Sequence, residues 1–278
     1  FLLECVISSQ STWTMSSVLF GDANGHSGSN LSLLNYSSLM YYDRVNRKII
    51  AGGNGYDCNL NQFQDISGVA LDSVHQLYVI DSSCNRLVKF SASSDSTEYG
   101  QLIVTLDYPT AISIDHRTDD IYIALSSGNY SILKFTNNSQ IGVTIAGGNG
   151  YGSNLNQIIM VTTIYFDYKV TKALYVCDFS NYRVLKFPEN STRSTFGTLV
   201  AGNGTSGSTM NQLKNAKGVI VDKNGIVYVA DGGETIIGDP LGPTPNIFSN
   251  YILFDENSNF IASQQSTSRI LLINITTC

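Results

Sequence analysis

Short apolar segments, each closed by a polar residue, recur along this chain in groups of three. The clearest group lies at 68–72, 77–81 and 86–90, with the sequences Gly-Val-Ala-Leu-Asp, Leu-Tyr-Val-Ile-Asp and Arg-Leu-Val-Lys-Phe. Segments of this length that are rich in Val, Ile, Leu and Tyr and are bounded by turn-forming residues are typical of β-strands. Each group therefore predicts three short strands joined by tight turns, and the middle segment is apolar enough to be buried on both sides.

The groups are copies of one repeat. A nearly complete second copy lies at 164–187, and looser copies begin near residues 112, 219 and 252. The first strand of each copy ends in an aspartate: Asp72, Asp115, Asp167, Asp222 and Asp255. Their mean spacing of about 46 residues predicts six units in 278 residues, with a diverged first unit that ends at 39–50.

A glycine-rich segment precedes three of the copies. Ala-Gly-Gly-Asn-Gly-Tyr occurs at 51–56 and again at 146–151, each time followed by Asn-Leu-Asn-Gln, and a looser version begins at Ala201. Glycine adopts positive φ without steric cost, which a sharp change of chain direction requires. We therefore interpret these segments as the passage from the outer strand of one unit to the inner strand of the next.

This organisation predicts an all-β fold, a six-bladed β-propeller of four-stranded antiparallel blades that forms a single domain over residues 1–278. The expected blades, numbered here as repeats 1 to 6, span 1–52, 53–100, 101–146, 147–200, 201–245 and 246–278. In such a fold each small sheet covers its neighbour, and closure of the ring protects most sheet edges.

The repeat resembles the NHL repeat, whose signature combines an Ala-Gly-x-Gly turn, a Gly-Val-Ala-x-Asp strand, a Tyr-Val-x-Asp strand and an Asn-Arg-x-x-Lys-Phe strand. The match extends over nearly the whole chain and is most specific in repeats 2, 4 and 5, whereas repeats 1 and 6 depart from it. The Gly-Asn-Gly and Asn-Gln segments are most similar to those of long NHL-repeat proteins of small invertebrates. The resemblance implies the propeller fold.

The chain carries few charges, which limits the classes of partner. Only 14% of its residues are charged, and the net charge is −6. A nucleic-acid-binding protein needs a basic surface, so nucleic acid is not an expected partner. No apolar stretch approaches the roughly 18 residues of a membrane-spanning helix. The opening Phe-Leu-Leu is too short for a signal-peptide core, and we expect a processed or fragmentary mature chain.

Seven Asn-x-Ser/Thr triplets are candidate N-glycosylation sites. Their acceptor residues are Asn30, Asn35, Asn129, Asn137, Asn190, Asn203 and Asn274. Attached sugars would solubilise a surface that has so few charges, so we expect a secreted, extracellular glycoprotein. The alternative is that a sequence rich in Asn and Ser produces such triplets by chance.

The five cysteines have no spacing typical of a zinc site. Cys58 and Cys84 fall in two loops that a propeller places on one face of the second blade, so we expect a disulfide between them. Cys177 takes a core position of its strand and is expected to be a buried, reduced thiol. Cys5 and Cys278 lie near the two ends of the chain and are expected to lock closure of the ring. The alternative is that one of these two bonds another molecule.

The repeated aspartates and two arginines have a structural interpretation. A short carboxylate at the end of a strand accepts hydrogen bonds from turn backbone N–H groups. Because the aspartates recur once per repeat, we favour this role over a metal cage or paired catalytic acids. Arg86 and Arg183 recur in the same way, and we expect each to hydrogen-bond neighbouring loops within its blade.

The sequence gives little support for catalysis. Among propellers that resemble NHL proteins, the lyase that completes peptide C-terminal amidation uses a zinc ion held by three histidines. This chain has only His26, His75 and His116, and their spacing does not bring them together. No Ser/His/Asp or Cys/His arrangement stands out. We therefore expect a protein that is not an enzyme and has no metal or cofactor.

The face that carries the glycine-rich loops and the loops between second and third strands is the candidate binding surface. Its expected residues are Asn54, Tyr56, Asn149, Tyr151, Asn181 and Tyr182. Tyrosine and asparagine together suit the stacking and hydrogen bonding of a sugar or a peptide, although polar turns contain the same residues for structural reasons.

Three functions remain open at this point. The first is a secreted scaffold that binds a protein or glycan partner. The second is a self-assembling extracellular glycoprotein of a filament or matrix, because the apolar segments at 1–7 and 270–273 could complete the sheet of another copy. The third is an NHL-type lyase or hydrolase.

Overall fold

The computed structural model describes residues 13–20, 56–92, 94, 98–136, 139–209, 211–231, 235–238, 251–254, 260–264 and 269–275. For 13–20, for 235–238 and for the stretches after residue 250 other than Ile252, backbone pairing alone is described. No helix in these ranges is long and apolar enough to cross a membrane.

The described elements are β-strands and one short 3-10 helix, Phe179–Asn181. The strands are β1 Trp13–Phe20, β2 Ile66–Leu71, β3 Leu77–Asp81, β4 Arg86–Phe90, β5 Gln101–Thr105, β6 Pro109–Asp115, β7 Asp120–Leu125, β8 Ser131–Phe135, β9 Val143–Gly147, β10 Val161–Asp167, β11 Ala173–Asp178, β12 Arg183–Pro188, β13 Thr198–Ala201, β14 Ala216–Val221, β15 Val227–Asp231, β16 Thr235–Gly238, β17 Tyr251–Phe254, β18 Phe260–Gln264 and β19 Arg269–Ile275.

The strands pair into antiparallel sheets, which we number after the repeats that supply them. Sheet 2 has the order β2-β3-β4-β5, sheet 3 the order β6-β7-β8-β9, and sheet 4 the order β10-β11-β12-β13. These three sheets belong to one compact unit, and sheets 5 and 6 belong to a second. The all-β class and the four-stranded antiparallel sheets agree with the sequence prediction.

Sheets 2, 3 and 4 pack face to face through buried apolar side chains. Tyr78 of β3 shares one cluster with Ile112 and Ile123 of sheet 3. Tyr122 and Phe166 lie in the next cluster, with ring centroids 4.7 Å apart and ring planes 9° apart. Every residue of β3 and β11 is buried. These strands are apolar without alternation because sheets cover both of their faces.

The repeated Tyr and Lys residues are cross-strand neighbours. They form the pairs Tyr78–Lys89, Tyr122–Lys134 and Tyr175–Lys186. The lysine nitrogens lie 5.1, 5.5 and 5.5 Å from the centroids of the tyrosine rings. A lysine stem can thus cover a buried ring while its charged end reaches the margin of the sheet, which explains why the repeat contains both residues.

The aspartates that end the inner strands bind turn backbone N–H groups, as predicted. Asp72 Oδ1 accepts hydrogen bonds from Val74 N and Gln76 N at 3.1 and 2.8 Å. Equivalent contacts are made by Asp115, Asp167 and Asp222. The structural interpretation of these four residues is confirmed, and Asp255 lies outside the described residues.

Sheets 5 and 6 form the second unit. Sheet 5 has the order β14-β15-β16 in the described residues, and Tyr228 at its centre is fully buried. Sheet 6 has the order β1-β19-β18-β17, so that β1 pairs antiparallel with β19, the last of the described strands. The diverged segment at 39–50, Cys5 and Cys278 lie outside the described residues, so the first blade and the terminal disulfide stay predictions.

Two of the expected repeat bounds differ from the sheets. The strand β1, expected within repeat 1, pairs in sheet 6 with a strand of repeat 6. We expected repeat 3 to begin at residue 101, but Gln101–Thr105 is β5, which pairs with β4 as the outer strand of sheet 2. The chain passes into sheet 3 at 106–108, where the glycine-rich segment found before sheet 4 has no counterpart. Without that segment, the sequence does not mark where one repeat ends.

Candidate binding face

Two sets of loops lie at the same end of sheets 2, 3 and 4, because successive loops of an antiparallel meander alternate between the two ends. The lead-in loops, which precede the inner strands, are 56–65, 106–108 and 148–160. The second-hairpin loops, between the second and third strands, are 82–85, 126–130 and 179–182. We call this end the loop face, and the opposite end, which carries the aspartate turns, the turn face.

A buried arginine holds the lead-in loop of sheet 4. The guanidinium of Arg183 donates to three carbonyl oxygens, those of Ser153, Asn154 and Gln157, at 2.5, 3.0 and 2.9 Å. Its Nε donates at 2.9 Å to Asp178, whose side chain is fully buried. Burial raises the pKa of the Asp178 carboxyl above its ordinary value, although the hydrogen bonds that it accepts favour the ionised form.

Sheet 2 contains the same arrangement. Arg86 donates to the carbonyl oxygens of Cys58, Asn59 and Gln62 in its own lead-in loop. It also lies 3.3 Å from the buried carboxylate of Asp81. The predicted role of both arginines, to hold neighbouring loops within their sheets, is confirmed.

A second contact joins the lead-in loop of a sheet to its second-hairpin loop. In sheet 2 it is a disulfide between Cys58 and Cys84, the pair expected from the sequence. In sheet 4 it is a hydrogen bond of 3.2 Å from Asn181 Nδ2 to the carbonyl oxygen of Gly152. Cys177 is buried in β11 as a reduced thiol.

Several predicted binding residues belong to this framework instead. Asn149 Nδ2 donates to three main-chain oxygens at 2.8 to 3.2 Å, and Asn181 closes its loop as described. Tyr182 ends the 3-10 helix with a left-handed φ of 51°. The side-chain amides of Asn149 and Asn181 therefore hold the loops in shape, and Asn54 lies outside the described residues.

Several large aromatic and apolar side chains are exposed on the loop face, among polar residues of the same loops. Tyr56 and Tyr151, at equivalent places in their lead-in loops, are 74% and 75% exposed. Tyr108 and Met160, each directly before an inner strand, are 51% and 53% exposed and were not predicted from the sequence. The loop face therefore presents apolar side chains on loops that hydrogen bonds fix from behind.

Tyr108 and Met160 also share a left-handed backbone, with φ of 51° and 50°. This conformation costs a residue with a side chain roughly 1–2 kcal/mol. Tyr108 is held in it from both sides, since its N–H donates to Asn85 Oδ1 at 2.9 Å and its carbonyl oxygen accepts from Ser126 N at 3.1 Å. Such strained positions cluster at functional sites. No sequence signal marks them, because a lone Tyr or Met before a strand does not reveal its φ.

The turn face carries ion pairs and a histidine. Arg117 donates to Asp115 through Nε and Nη2 at 3.0 and 2.6 Å, and its Nη2 lies 2.7 Å from Glu189. Burial would raise the pKa of the Asp115 carboxyl, but the bonds from Arg117 lower it below its ordinary value of 3.8. His116 stacks on Tyr168 with ring centroids 5.1 Å apart. Among the described residues, no His, Cys, Asp or Glu side chains are grouped to hold a metal ion.

Three of the predicted acceptor asparagines have described side chains, and all three are exposed: Asn129, Asn190 and Asn203. Asn129 and Asn203 lie on the loop face, in a second-hairpin loop and directly after β13, and Asn190 lies on the turn face. Asn274 is part of β19, for which only the backbone is described. The remaining acceptors, Asn30, Asn35 and Asn137, lie outside the described residues.

Comparison with known proteins bears on the fold. No protein-family model and no curated protein matches the sequence. An auxiliary nutrient binding protein from Bacteroides ovatus ATCC 8483 superposes on 79% of this chain with a TM-score of 0.57 and 12% identity, and this chain spans 60% of its length. A protein of unknown function from Bacteroides thetaiotaomicron VPI-5482 superposes on 95% of this chain, and 77% of its own, with a TM-score of 0.51 and 12% identity. At this identity the likeness is one of fold alone.

Proposed function

We propose that this chain is a secreted, N-glycosylated member of the NHL-repeat propellers, closed as six blades, that serves as a non-enzymatic extracellular scaffold and binds a protein or glycan partner. The observation that carries the proposal is the set of exposed aromatic side chains on the fixed loops of the loop face. Rigid aromatic residues supply a large contact area at a low cost in conformational entropy. The pairing of β1 with β19, which joins distant parts of the chain in one sheet, supports closure.

The compartment follows from covalent chemistry and composition. The Cys58–Cys84 disulfide is typical of proteins that fold in an oxidising compartment, extracellular or periplasmic. Exposed acceptor asparagines on both faces, together with a charged fraction of only 14%, support glycosylation in the secretory pathway. The Bacteroides ovatus neighbour, named as a nutrient binding protein, supports a binding role on a related fold.

The carboxylates of the repeat support a role without catalysis. Asp72, Asp167 and Asp222 bind their own turns, and Asp81 and Asp178 bind arginines and loop N–H groups. A side chain engaged in this way is poorly placed to transfer a proton to a substrate. Stoichiometric zinc or calcium in the native protein, measured by mass spectrometry, would instead favour the lyase or hydrolase alternative.

The binding proposal is tested with the secreted protein on a glycan array and a peptide array. The double variant Y56A/Y108A removes two exposed tyrosines of the loop face, and I141A/F196A removes two apolar residues of the outer edges that are at least as exposed. We expect array signals to fall roughly tenfold in the first variant and to stay unchanged in the second. Equal losses in both variants, or no signal for the wild type on either array, would overturn the binding role.

A second candidate, self-assembly into a filament or matrix, is favoured by the outer strands. Each of β5, β9 and β13 is preceded by an exposed apolar residue, and these residues are Tyr99, Ile141 and Phe196. An outer strand presents unpaired backbone groups that another chain can pair with. Filaments in negative stain that disappear in I141A/F196A would establish this function, and a monodisperse species of one chain would exclude it.

A further inference from the structure

Asn129 occupies a position that closes a loop in the neighbouring sheets. It is the residue before the left-handed residue of its second-hairpin loop, and its equivalents are Cys84 in sheet 2 and Asn181 in sheet 4. Cys84 is bonded to Cys58, and Asn181 donates to the carbonyl oxygen of Gly152. In both neighbours this position therefore ties the hairpin to a long lead-in loop.

Sheet 3 has no long lead-in loop. Its lead-in segment is 106–108, where sheets 2 and 4 have 56–65 and 148–160. Asn129 is accordingly exposed, and it is the acceptor of an Asn-Tyr-Ser triplet. In sheets 2 and 4 the residue at this position is bonded to a lead-in loop, whereas in sheet 3 Asn129 is exposed to solvent. It also belongs to an N-glycosylation triplet.

Next to Asn129 in the sequence is Tyr130, whose ring contacts the ring of Tyr151. The ring of Tyr130, the next residue, lies 6.3 Å from the ring of Tyr151 at an interplanar angle of 70°. Tyr130 is half-buried against the cluster between sheets 3 and 4, and its carbonyl oxygen accepts from Gly148 N at 2.9 Å. This bond fixes the start of the loop that carries Tyr151, whose ring is 75% exposed. A fixed, exposed ring offers its negative face to the C–H groups of a sugar.

We propose that Asn129 carries an N-linked glycan whose first N-acetylglucosamine packs on the Tyr130–Tyr151 pair. The glycan covers the part of the loop face that long lead-in loops cover in sheets 2 and 4. This inference rests on the secretion and glycosylation contained in the proposed function. In this arrangement Tyr151 contacts the glycan of the chain itself, and Tyr56 and Tyr108 are the exposed tyrosines that can contact a partner.

The test is a double-mutant cycle on the full chain, secreted from cells that perform N-glycosylation. Glycopeptide mass spectrometry measures occupancy at Asn129, and chemical denaturation measures the folding equilibrium constant of wild type, N129Q, Y151A and the double variant. Each single variant lowers the constant roughly two- to tenfold, Y151A also through the lost contact with the Tyr130 ring. The double variant lowers it no further than Y151A alone, because the sugar contact is lost once. In protein made in bacteria without glycans, the same variants show no coupling.

The control is Asn190, an exposed acceptor on the turn face, so N190Q and Y151A are additive in the glycosylated protein. Additive effects of N129Q and Y151A at an occupied Asn129 would overturn the packing contact. A bare Asn129 beside occupied Asn190 and Asn203 would overturn this inference and leave secretion standing. Bare asparagines at every acceptor would overturn the glycosylated, secreted state as well.

Discussion

Gly197 lies against the ring of Phe187, and a Cβ on Gly197 would stand 2.8 Å from the ring carbon Cζ. Phe187 is fully buried, so its ring has no room to move away. The same relationship joins Gly100 to Phe90 and Gly142 to Phe135. The glycine before each outer strand is therefore needed for close packing on the phenylalanine at the end of the third strand or, in sheet 4, one residue before that end.

We expect Gly197→Ala to lower the free energy of unfolding by about 1–3 kcal/mol, because an extra methyl group overpacks the site. Urea denaturation measures the loss. Adding Phe187→Leu makes room for the methyl group, so the double variant should be more stable than the sum of the two single changes. A Gly197→Ala protein that unfolds at the wild-type urea concentration would contradict this packing argument.

Replacement of Arg183 by methionine should release the lead-in loop of sheet 4. The change leaves three loop carbonyls without their donor and the buried carboxylate of Asp178 without its cation, at a cost of about 3–5 kcal/mol. We expect faster backbone hydrogen exchange across 148–160.

Arg86→Met is the matched control, since the Cys58–Cys84 disulfide ties its lead-in loop a second time. In Arg86→Met, hydrogen exchange across 56–65 should increase less than exchange across 148–160 does in Arg183→Met. The two increases should become equal only when the disulfide is reduced. Equal exchange in the two oxidised variants would show that the disulfide does not hold the loop.

Tyr122→Phe should leave the protein as stable as the wild type or up to about 1 kcal/mol more stable. Among the described buried polar atoms, the hydroxyl of Tyr122 has no hydrogen-bond partner, and burial raises its pKa. The control is Tyr175→Phe at the equivalent place in sheet 4, where the hydroxyl donates to Thr171 Oγ1 at 3.2 Å. That variant should lose about 1 kcal/mol. Thermal unfolding compares the two, and a larger loss for Tyr122→Phe would mean that its hydroxyl is bonded after all.

Arg117→Met should raise the pKa of Asp115 relative to the wild type. In the wild type the pKa is lowered below 3.8, so the stability that Asp115 contributes is present above pH 3.8 and is lost as the pH falls through the lowered pKa. Without the Arg117 guanidinium, only the hydrogen bonds from the backbone N–H of residue 117 and from Thr118 still oppose the effect of burial. The pKa therefore rises, and less of the stability depends on ionisation of Asp115. The stability difference between wild type and variant should therefore shrink on acidification.

The measurements are a carboxyl NMR titration of Asp115 and urea unfolding at pH 7 and at pH 3. An Asp115 midpoint that is the same in the variant and the wild type would show that Arg117 does not control this carboxyl. Because Arg117 also pairs with Glu189, the NMR titration of Asp115 itself is needed to assign the effect to this carboxyl.

Much of the repeat could be predicted from sequence because its signals are local. The alternation of apolar segments with turns fixes the strands, and the recurrence of Asp72 and its equivalents identifies them as turn-binding residues. The disulfide could be predicted because Cys58 and Cys84 fall in loops that the repeat places at the same end of a sheet.

The exposed site was harder to predict, because it depends on φ and on the lengths of loops. Asn149 and Asn181 are of a residue type that is common in binding surfaces, but their side-chain amides already donate hydrogen bonds to main-chain oxygens. Tyr108 and Met160 contribute to the face from a left-handed backbone conformation, which contacts with two other loops hold in place at Tyr108. Such information resides in tertiary contacts and is absent from residue type and spacing.

The pairing of β1 with β19 has a consequence for the nascent chain. About 250 residues separate these two strands, and at ribosomal rates of about 5–20 residues per second, roughly 12 to 50 seconds pass between their translation. During that interval β1 has been made but its partner has not. An unpaired strand is a template for other chains, so β1 is vulnerable to aggregation until β19 has been translated.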